Sequence, residues 1–417
     1  MLSREKKSNN LIQFIITVIA AGVIFPLLYL RQNFEVSILD SFKIELSQLS
    51  YCYSLLGIIF AITYLPSGWL ADKFSCRKLI ILSLSLTALI GTWFSFIPSY
   101  TSLIIIFCGW GLTTGLTFWS AHLKIVAMLA GKEQQGRFFG SLDGGRGLVE
   151  ALLATLAVSI FAVVMSKTNQ DFTQSLKAVI YIYIIAIVMI IPLVFIFLDE
   201  HDSKLDKNKT KDKHVLKKDL LEILRNKNIW LCTICIICGY QLFWATYSFS
   251  GYLQNHLGFG AVTVASITVA KLWMRPLGAI SAGFIGDYFD TTKLLAILMV
   301  LASLALASLP FTSAFGLSVV ISIVLIIGLL TYGVRGIYWA TLEKCSVDNK
   351  TKGLAIGFIS MIAYLPDIYL PIYRSWLLTI FSESAGYSTY YISISIVGAF
   401  GTLAATKLAK SQETSAS

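Results

Sequence analysis

The sequence predicts an all-α membrane protein with twelve transmembrane helices arranged in two pseudo-symmetric six-helix bundles. Apolar residues make up 56% of the chain and charged residues 13%, whereas an ordinary soluble domain has about 25% charged residues. Apolar runs of about 20 residues recur from end to end, and each is long enough to cross a hydrocarbon core of about 30 Å. Short motifs of the first half also return, in the same order, in the second half.

Twelve apolar segments define the predicted spans. They cover residues 11–30, 49–70, 79–97, 102–123, 137–164, 177–198, 229–253, 260–286, 294–311, 316–340, 353–381 and 387–406. The one long connection, 199–228, carries nine Lys or Arg and seven Asp or Glu, as expected of a solvated linker. We therefore expect an N-terminal bundle at 1–198, a charged cytoplasmic linker at 199–228 and a C-terminal bundle at 229–417.

The basic residues orient the chain in the membrane. With a cytoplasmic N-terminus, 24 of the 33 Lys and Arg fall on cytoplasmic segments, four on the opposite side and five inside spans. Arg31, at the outer end of the first span, is one of the four. This asymmetry follows the positive-inside rule and predicts that both termini are cytoplasmic. The net charge of +10 is therefore a feature of topology, and we expect no nucleic-acid partner.

The repeated motifs indicate a duplicated six-helix unit. The segment Gly68-Trp-Leu-Ala-Asp72 closes the second span, and Gly283-Phe-Ile-Gly-Asp287 closes the eighth, 215 residues later. Three further pairs follow in the same order: Phe118-Trp119 with Tyr338-Trp339, Gly136 and Gly140 with Gly353 and Gly357, and Glu150 with Asp367. Parallel repeats of this kind are a known transporter architecture.

The stretch from Gly68 to Ile80 resembles the signature that joins the second and third helices in the major facilitator superfamily. Six positions agree, and two differ, because Ser75 replaces the usual glycine and Cys76 a basic residue. The resemblance implies alternating access by two rocking halves in the cytoplasmic (inner) membrane. It also implies a gate on the cytoplasmic side, whose residues would be Gly68, Asp72, Arg77, Gly283 and Asp287.

In that gate, Asp72 would face the start of the eleventh helix, near Gly353. Asp287 would by symmetry face the start of the fifth helix, near Gly136. A carboxylate is stabilised at the positive end of a helix. Gly68 is expected to allow the tight turn that follows the second span. The alternative is that these charges only anchor the topology.

Apart from Arg137 and Lys177, which are the first residues of their spans, eight Asp, Glu, Lys and Arg residues lie inside the predicted spans, where charge is costly and therefore suggests function. They are Asp143, Arg146, Glu150, Lys271, Arg275, Arg335, Asp367 and Arg374. Lys271 and Arg275 are like charges one helical turn apart, which is unfavourable unless something negative lies between them. An anionic substrate bound by Arg146, Lys271, Arg275 or Arg335 would supply that charge. Pairs that merely hold the bundle together are the alternative.

Proton coupling would use a carboxylate that exchanges its proton during the transport cycle. The candidates, in order, are Glu150, Asp367 and Asp143. Glu150 matches Lys271 in depth, counting 1.5 Å of rise per residue from the cytoplasmic end, so these two residues are a candidate pair. A permanently ionised structural carboxylate is the alternative.

Aromatic and amide side chains form a second group of candidates for substrate binding. The resemblance implies that the first, fourth, seventh and tenth helices line the cavity. These helices carry Tyr240, Gln241, Trp244, Trp119 and Tyr332. Aromatic rings with polar tips suit a small organic ligand, but they equally suit helix packing.

Two other sequence patterns resemble cofactor-binding motifs but do not predict a cofactor. Cys232, Cys235 and Cys238 lie in an apolar span without a fourth cysteine nearby, so packing explains them better than an iron–sulfur cluster. The glycine-rich segment from Gly140 to Gly147 lacks the Lys-Ser/Thr ending of a phosphate loop, and close helix approach explains it better. We therefore expect no metal and no cofactor.

The predicted function is secondary active transport of a small polar solute, with an organic anion favoured, coupled to protons or to exchange. Partners would be the solute, membrane lipid and protons as a candidate coupling ion, and the protein would act as a monomer. The alternatives are an amino-acid, peptide or drug transporter of the same fold and a non-transporting membrane sensor. No pattern typical of a catalytic site occurs, so an enzyme is not expected.

Overall fold

A computed structural model describes residues 2–130, 135–199, 221–288, 290–347 and 352–416. These residues are almost entirely helical, and no strand occurs among them. Within this part of the chain, ten helices are long and apolar enough to span a membrane. They confirm ten of the twelve predicted spans.

The first half of the chain forms eight α-helices. They are α1 Leu2–Ile24, α2 Arg31–Phe42, α3 Leu46–Lys73, α4 Cys76–Ser95, α5 Tyr100–Gly111, α6 Trp119–Ala130, α7 Gln135–Lys167 and α8 Phe172–Phe197. A π-helical segment, Leu112–Phe118, joins α5 to α6, so that the fourth span is one continuous rod. The apolar part of α1, Asn10–Ile24, is shorter than the other spans.

The second half forms seven longer helices. They are α9 Lys227–Ala245, α10 Ala261–Tyr288, α11 Thr291–Ser308, α12 Leu317–Ile337, α13 Lys352–Ala363, α14 Pro366–Ile380 and α15 Glu383–Ala416. Helix α10 occupies the place of the eighth predicted span and carries Lys271 and Arg275. The eleventh span breaks just before Pro366, and Pro371 lies inside α14. The total of twelve spans and the cytoplasmic location of both termini remain predictions.

The chain divides into two compact units. Unit 1 comprises Met1–Leu205 and Leu253–Trp273, and unit 2 comprises Asp206–Tyr252 and Met274–Ser417. Most of the predicted linker, residues 200–220, lies outside the described residues. The bundle boundaries drawn from the sequence therefore stay predictions.

Small residues allow the helices of each unit to approach closely. In unit 1, a Cβ atom on Gly22 of α1 would lie 2.6 Å from Val149 Cβ, and one on Gly145 of α7 would lie 2.6 Å from Val18 Cγ1. In unit 2, a Cβ on Gly336 of α12 would lie 2.8 Å from Ala279 Cα of α10. Helices in a membrane associate through such close packing, because apolar side chains gain little by leaving lipid.

Polar side chains fix two helix ends. Arg77, at the start of α4, donates from Nη1 to Phe195 O at 3.4 Å and to Leu198 O at 3.3 Å, at the C-terminal end of α8. A cation is favoured there by the helix dipole. Arg77 was proposed as a gating residue, and this contact gives it a structural role within unit 1.

Asp290 caps the N-terminus of α11 by accepting from the backbone N–H groups of Thr292 and Lys293, and it accepts from Lys344 Nζ at 3.0 Å. Partial burial raises the pKa of Asp290. The hydrogen bonds from Lys344, Lys293 and Thr292 lower it more, so that its pKa lies below the ordinary value. A depressed carboxyl pKa stabilises the folded state at neutral pH, and this stabilisation is lost as the pH falls below the ordinary range of aspartate.

Two local expectations are wrong. The first helix ends at Ile24 rather than at residue 30, and Arg31 does not end that span but begins a separate helix, α2, with its side chain fully buried. The turn after the second span is formed by Phe74 and Ser75, so Gly68 lies inside α3 rather than in the turn. The turn therefore does not depend on Gly68.

The close approach of α1 and α7 predicts opposite effects for two glycine substitutions in the same helix. Gly145→Ala places a Cβ against Val18, whereas a Cβ on Gly140 meets nothing within 4 Å. Overpacking costs about 1–3 kcal/mol, whereas replacing an exposed helical glycine by alanine gains up to about 1 kcal/mol. Thermal unfolding of the purified protein in detergent should show a lower melting temperature for Gly145→Ala only. Equal melting temperatures for the two variants would contradict the α1–α7 packing described here.

Candidate functional site

Unit 2 contains a polar cluster around Asp367, at the first turn of α14. The carboxylate is buried, and its Oδ1 atom accepts from Tyr240 Oη at 2.7 Å and from Trp244 Nε1 at 2.5 Å. Both donors lie on α9, one turn apart. Because Pro366 begins a new helix, Tyr364 lies in the preceding break, where its ring packs edge-on to Tyr240 at 4.8 Å. The broken helix thus brings a carboxylate and three aromatic side chains together.

Two arginines of unit 2 lie over aromatic rings. The guanidinium carbon of Arg335 is 4.3 Å from the ring centroid of Phe243, and that of Arg275 is 5.9 Å from the ring centroid of Tyr332. The rings of Phe243 and Tyr332 are themselves 5.5 Å apart. Arg335 also interacts electrostatically with Asp367. Five predicted residues (Tyr240, Trp244, Tyr332, Arg335 and Asp367) therefore meet in one cluster, with Arg275 at its edge.

Unit 1 contains a comparable arrangement around Arg146 of α7. Its guanidinium carbon lies 5.0 Å from the ring centroid of Phe25, immediately after α1. Trp119, the first residue of α6, packs 6.4 Å from Phe25 and 5.4 Å from Tyr64. Phe243 follows Phe25 by 218 residues (243 − 25), close to the offsets of the repeated motifs. Each unit thus places a guanidinium over a phenylalanine. The two phenylalanines occupy corresponding positions of the repeat, whereas the two arginines do not.

The predicted Glu150–Lys271 pair is present as an electrostatic interaction within unit 1. Lys271 is fully buried and Glu150 is half-buried. Glu150 also interacts electrostatically with the buried phenol of Tyr183 on α8. Asp143, the third coupling candidate, is half-buried on α7, two turns before Glu150. Glu150, the first candidate for proton coupling, therefore has Lys271 as its neighbour.

The remaining predicted site residues are Gln241 and the gating residues. Gln241 lines a groove of about 610 Å³ together with Ile368, Tyr373 and Trp376 of α14 and Ser393 of α15. Gly283 has open space where a Cβ would stand. The side chains of Asp72 and Asp287 lie outside the described residues, so both predicted latches stay predictions.

A buried ion pair in α2 was missed from the sequence. Arg31 Nη2 lies 3.2 Å from Glu35 Oε2, and both side chains are at most 1% exposed. The guanidinium carbon of Arg31 is 4.7 Å from the ring centroid of Tyr53 on α3. The i,i+4 spacing of opposite charges on a helix was the available signal, but the expected end of the first span placed Arg31 in solvent.

Sequence comparison now decides the family. The model of the Major Facilitator Superfamily matches residues 11–371. The chain belongs to this superfamily. The resemblance in the loop between the second and third spans is thereby confirmed. With its ten or more apolar helices, the chain is a multi-pass protein of the inner membrane.

Relatives and solved structures agree with the superfamily assignment. The chain is 28% identical over 388 residues to inner membrane protein YqcE of Escherichia coli (strain K12), covering 91% of this chain and 90% of the relative. It is 25% identical over 366 residues to the nitrite extrusion protein of Bacillus subtilis (strain 168), covering 85% and 82%.

Two crystal structures share the fold over nearly the whole chain. A mutant of the nucleoside transporter NupG matches with a TM-score of 0.71 and 12% identity, covering 96% of this chain and 99% of that one. A bacterial homolog of the human lysosomal transporter Spinster, inward-facing and unoccupied, matches with a TM-score of 0.72 and 14% identity, covering 96% of each chain. At these identities the likeness concerns the major facilitator fold alone.

The Arg31–Glu35 pair predicts non-additive effects on stability. Removing one partner of a buried pair costs about 3–5 kcal/mol, because the other charge stays buried without it, whereas apolar replacement of both costs much less. We expect Arg31→Met and Glu35→Met each to lower the melting temperature in detergent, and the double variant to melt closer to the wild type. Additive losses in this double-mutant cycle would show that the two side chains are not coupled.

Proposed function

We propose that this protein is a secondary active transporter of small organic anions that works by alternating access. The observation that carries the proposal is the pair of arginine–phenylalanine contacts, Arg146 with Phe25 and Arg335 with Phe243. When the flat face of an arginine lies against an aromatic ring, its N–H groups point outward along the edge of the guanidinium plane. Such a planar donor edge matches a carboxylate or phosphate in bidentate fashion.

The burial of the remaining charges supports an anionic solute. Lys271 and Arg275 are buried one turn apart on α10, and like charges at that spacing repel each other. Glu150 already interacts with Lys271. An incoming anion would add further negative charge beside the two cations. The similarity to a protein named for nitrite extrusion is consistent with an anion as the transported solute.

We further propose that Glu150 and Lys271 couple transport to protons. A half-buried carboxylate beside a fully buried amine is sensitive to any change in the surrounding charge. Binding of an anion near Lys271 would compete with Glu150 for the same cation and so alter the protonation of Glu150. Asp367 and Asp143 are the next candidates.

The anion proposal predicts loss of transport when either stacked arginine is neutralised. Proteoliposomes preloaded with unlabelled solute are assayed for uptake of labelled lactate and gluconate, each beside its uncharged counterpart, propanediol or sorbitol. Arg146→Gln and Arg335→Gln should each reduce anion uptake at least about tenfold, since a hydrogen bond to a charged group contributes about 1.5–3 kcal/mol. Lys43→Gln, which removes an exposed charge, serves as the control and should leave uptake unchanged.

Three outcomes of that assay would contradict the proposal. Equal uptake of the uncharged counterparts would indicate a transporter of neutral solutes or drugs. Binding without uptake of any solute would indicate a sensor of the same fold. Unchanged anion uptake in both arginine variants would place the substrate elsewhere.

The coupling proposal predicts that Glu150→Gln separates exchange from proton-driven accumulation. The variant should retain exchange of labelled for unlabelled anion but lose the stimulation of uptake by an imposed pH gradient, because the exchangeable proton is missing. Asp40→Asn, which neutralises an exposed carboxylate, is the matched control. Full stimulation by the gradient in Glu150→Gln would assign coupling to another carboxylate.

A further inference from the structure

His122 of α6 is a fully buried histidine inside the fourth predicted span. Its Nδ1 atom lies 3.1 Å from the backbone oxygen of Phe118. A carbonyl oxygen only accepts, so Nδ1 carries the hydrogen and donates it. In the neutral ring, Nε2 is then an acceptor with a lone pair.

The Nε2 atom of His122 is shielded from solvent and has no hydrogen-bond partner among the described residues. A buried polar atom left without a partner costs free energy. Native structures contain few such atoms, and each needs an explanation. A ligand that brings a donor to Nε2 would supply one.

The surroundings of His122 combine aromatic rings with a guanidinium group. Its ring stacks on Phe118 at 4.7 Å and packs edge-on to Trp119 at 5.5 Å. Phe118 and Trp119 both contact Phe25, over which Arg146 lies. Arg146 also interacts electrostatically with His122. The acceptor and the guanidinium therefore belong to one aromatic cluster within unit 1.

The backbone before His122 departs from regular helix. The π-helical segment Leu112–Phe118 ends at the residue that accepts the His122 hydrogen bond. The backbone N–H of Trp119 bonds to Thr114 O, five residues back, so that α6 starts from a shifted register. Segments of this kind are frequent at functional sites, and here the register shift sets the positions of Trp119 and His122.

We propose that Arg146 and His122 form a recognition site for an organic anion that also carries hydroxyl groups, as a sugar acid does. Arg146 binds the carboxylate, and Nε2 of His122 accepts a hydrogen bond from a hydroxyl group. Trp119 and Phe25 contact the apolar face of the carbon chain. This inference rests on the proposed transport of organic anions and adds the chemical class of the substrate.

The acceptor character of Nε2 distinguishes hydroxylated from simple carboxylates. A carboxylate oxygen offers no hydrogen to an acceptor, so a simple fatty acid leaves Nε2 without a partner. A site built to bind a hydroxyl group discriminates strongly against an analogue that lacks it. D-gluconate and hexanoate, both six-carbon monocarboxylates, differ in this property.

The test is isothermal titration of the purified full-length protein with each of these two probes. The wild type should bind gluconate more tightly than hexanoate. His122→Phe keeps the ring packing but loses the acceptor, and it should weaken gluconate binding about tenfold, the effect of one hydrogen bond, without changing hexanoate binding. His122→Gln supplies an amide oxygen and should restore part of the preference, whereas Arg146→Gln should weaken both probes.

A second measurement on the unmutated protein does not depend on the folding of variants. Gluconate should shift the ¹⁵N resonance of His122 Nε2, and hexanoate should leave it in place. Equal affinities for both probes, or a gluconate affinity unchanged in His122→Phe, would overturn the role of His122 alone. Failure of the wild type to bind either carboxylate would overturn the organic-anion function together with this inference.

Discussion

A charge inside the hydrocarbon core must be compensated where it lies, and most of the polar architecture of this protein follows from that constraint. Transfer of an ionised side chain into an apolar medium is expensive, so such groups are paired or lie against polarisable surfaces. Arg31 has Glu35, and Lys271 has Glu150. Aromatic rings also contact guanidinium groups, as Phe25 does for Arg146.

The aromatic residues thus act in both packing and electrostatics. The ring of Phe243 fills the space between α9 and α12 and also presents its negative face to Arg335. In the same cluster, Tyr240 and Trp244 present apolar faces to their neighbours while their polar tips hold Asp367. Ring packing and hydrogen bonding to a buried carboxylate therefore coexist in single side chains. Broken or irregular helix, at Pro366 and in the segment before Trp119, positions the residues concerned.

Much of the fold could be predicted from hydropathy and charge, because the bilayer imposes helix length and composition directly. The break at Pro366 followed from the chemistry of proline. The same chemistry applies at Pro26, two residues after the end of the first helix at Ile24, but the span was drawn to residue 30 because residues 25–30 are apolar. Arg31 was therefore assigned to the outer end of that span, although the structure buries it beside Glu35 in a separate helix.

Part of the candidate site could also be predicted. Charged residues in apolar spans are conspicuous, and Tyr240, Trp244, Arg335 and Asp367 do meet. His122 was missed because the candidates inside the spans were limited to Asp, Glu, Lys and Arg, although histidine is also rare there. The two phenylalanines were missed because phenylalanine is common in membrane helices. Their role depends on three-dimensional contacts that a linear pattern does not contain. The equivalence of Phe25 and Phe243 in the repeat was the one signal in the sequence that linked them.

The central claim is that the stacked arginines of the two units receive the anionic group of the substrate. The most direct measurement is an experimental structure of the purified protein with saturating gluconate. We expect electron density for the gluconate carboxylate within hydrogen-bonding distance of the guanidinium of Arg146 or Arg335. A bound ligand whose carboxylate contacts neither arginine, with both guanidinium groups still held only by protein side chains, would contradict it.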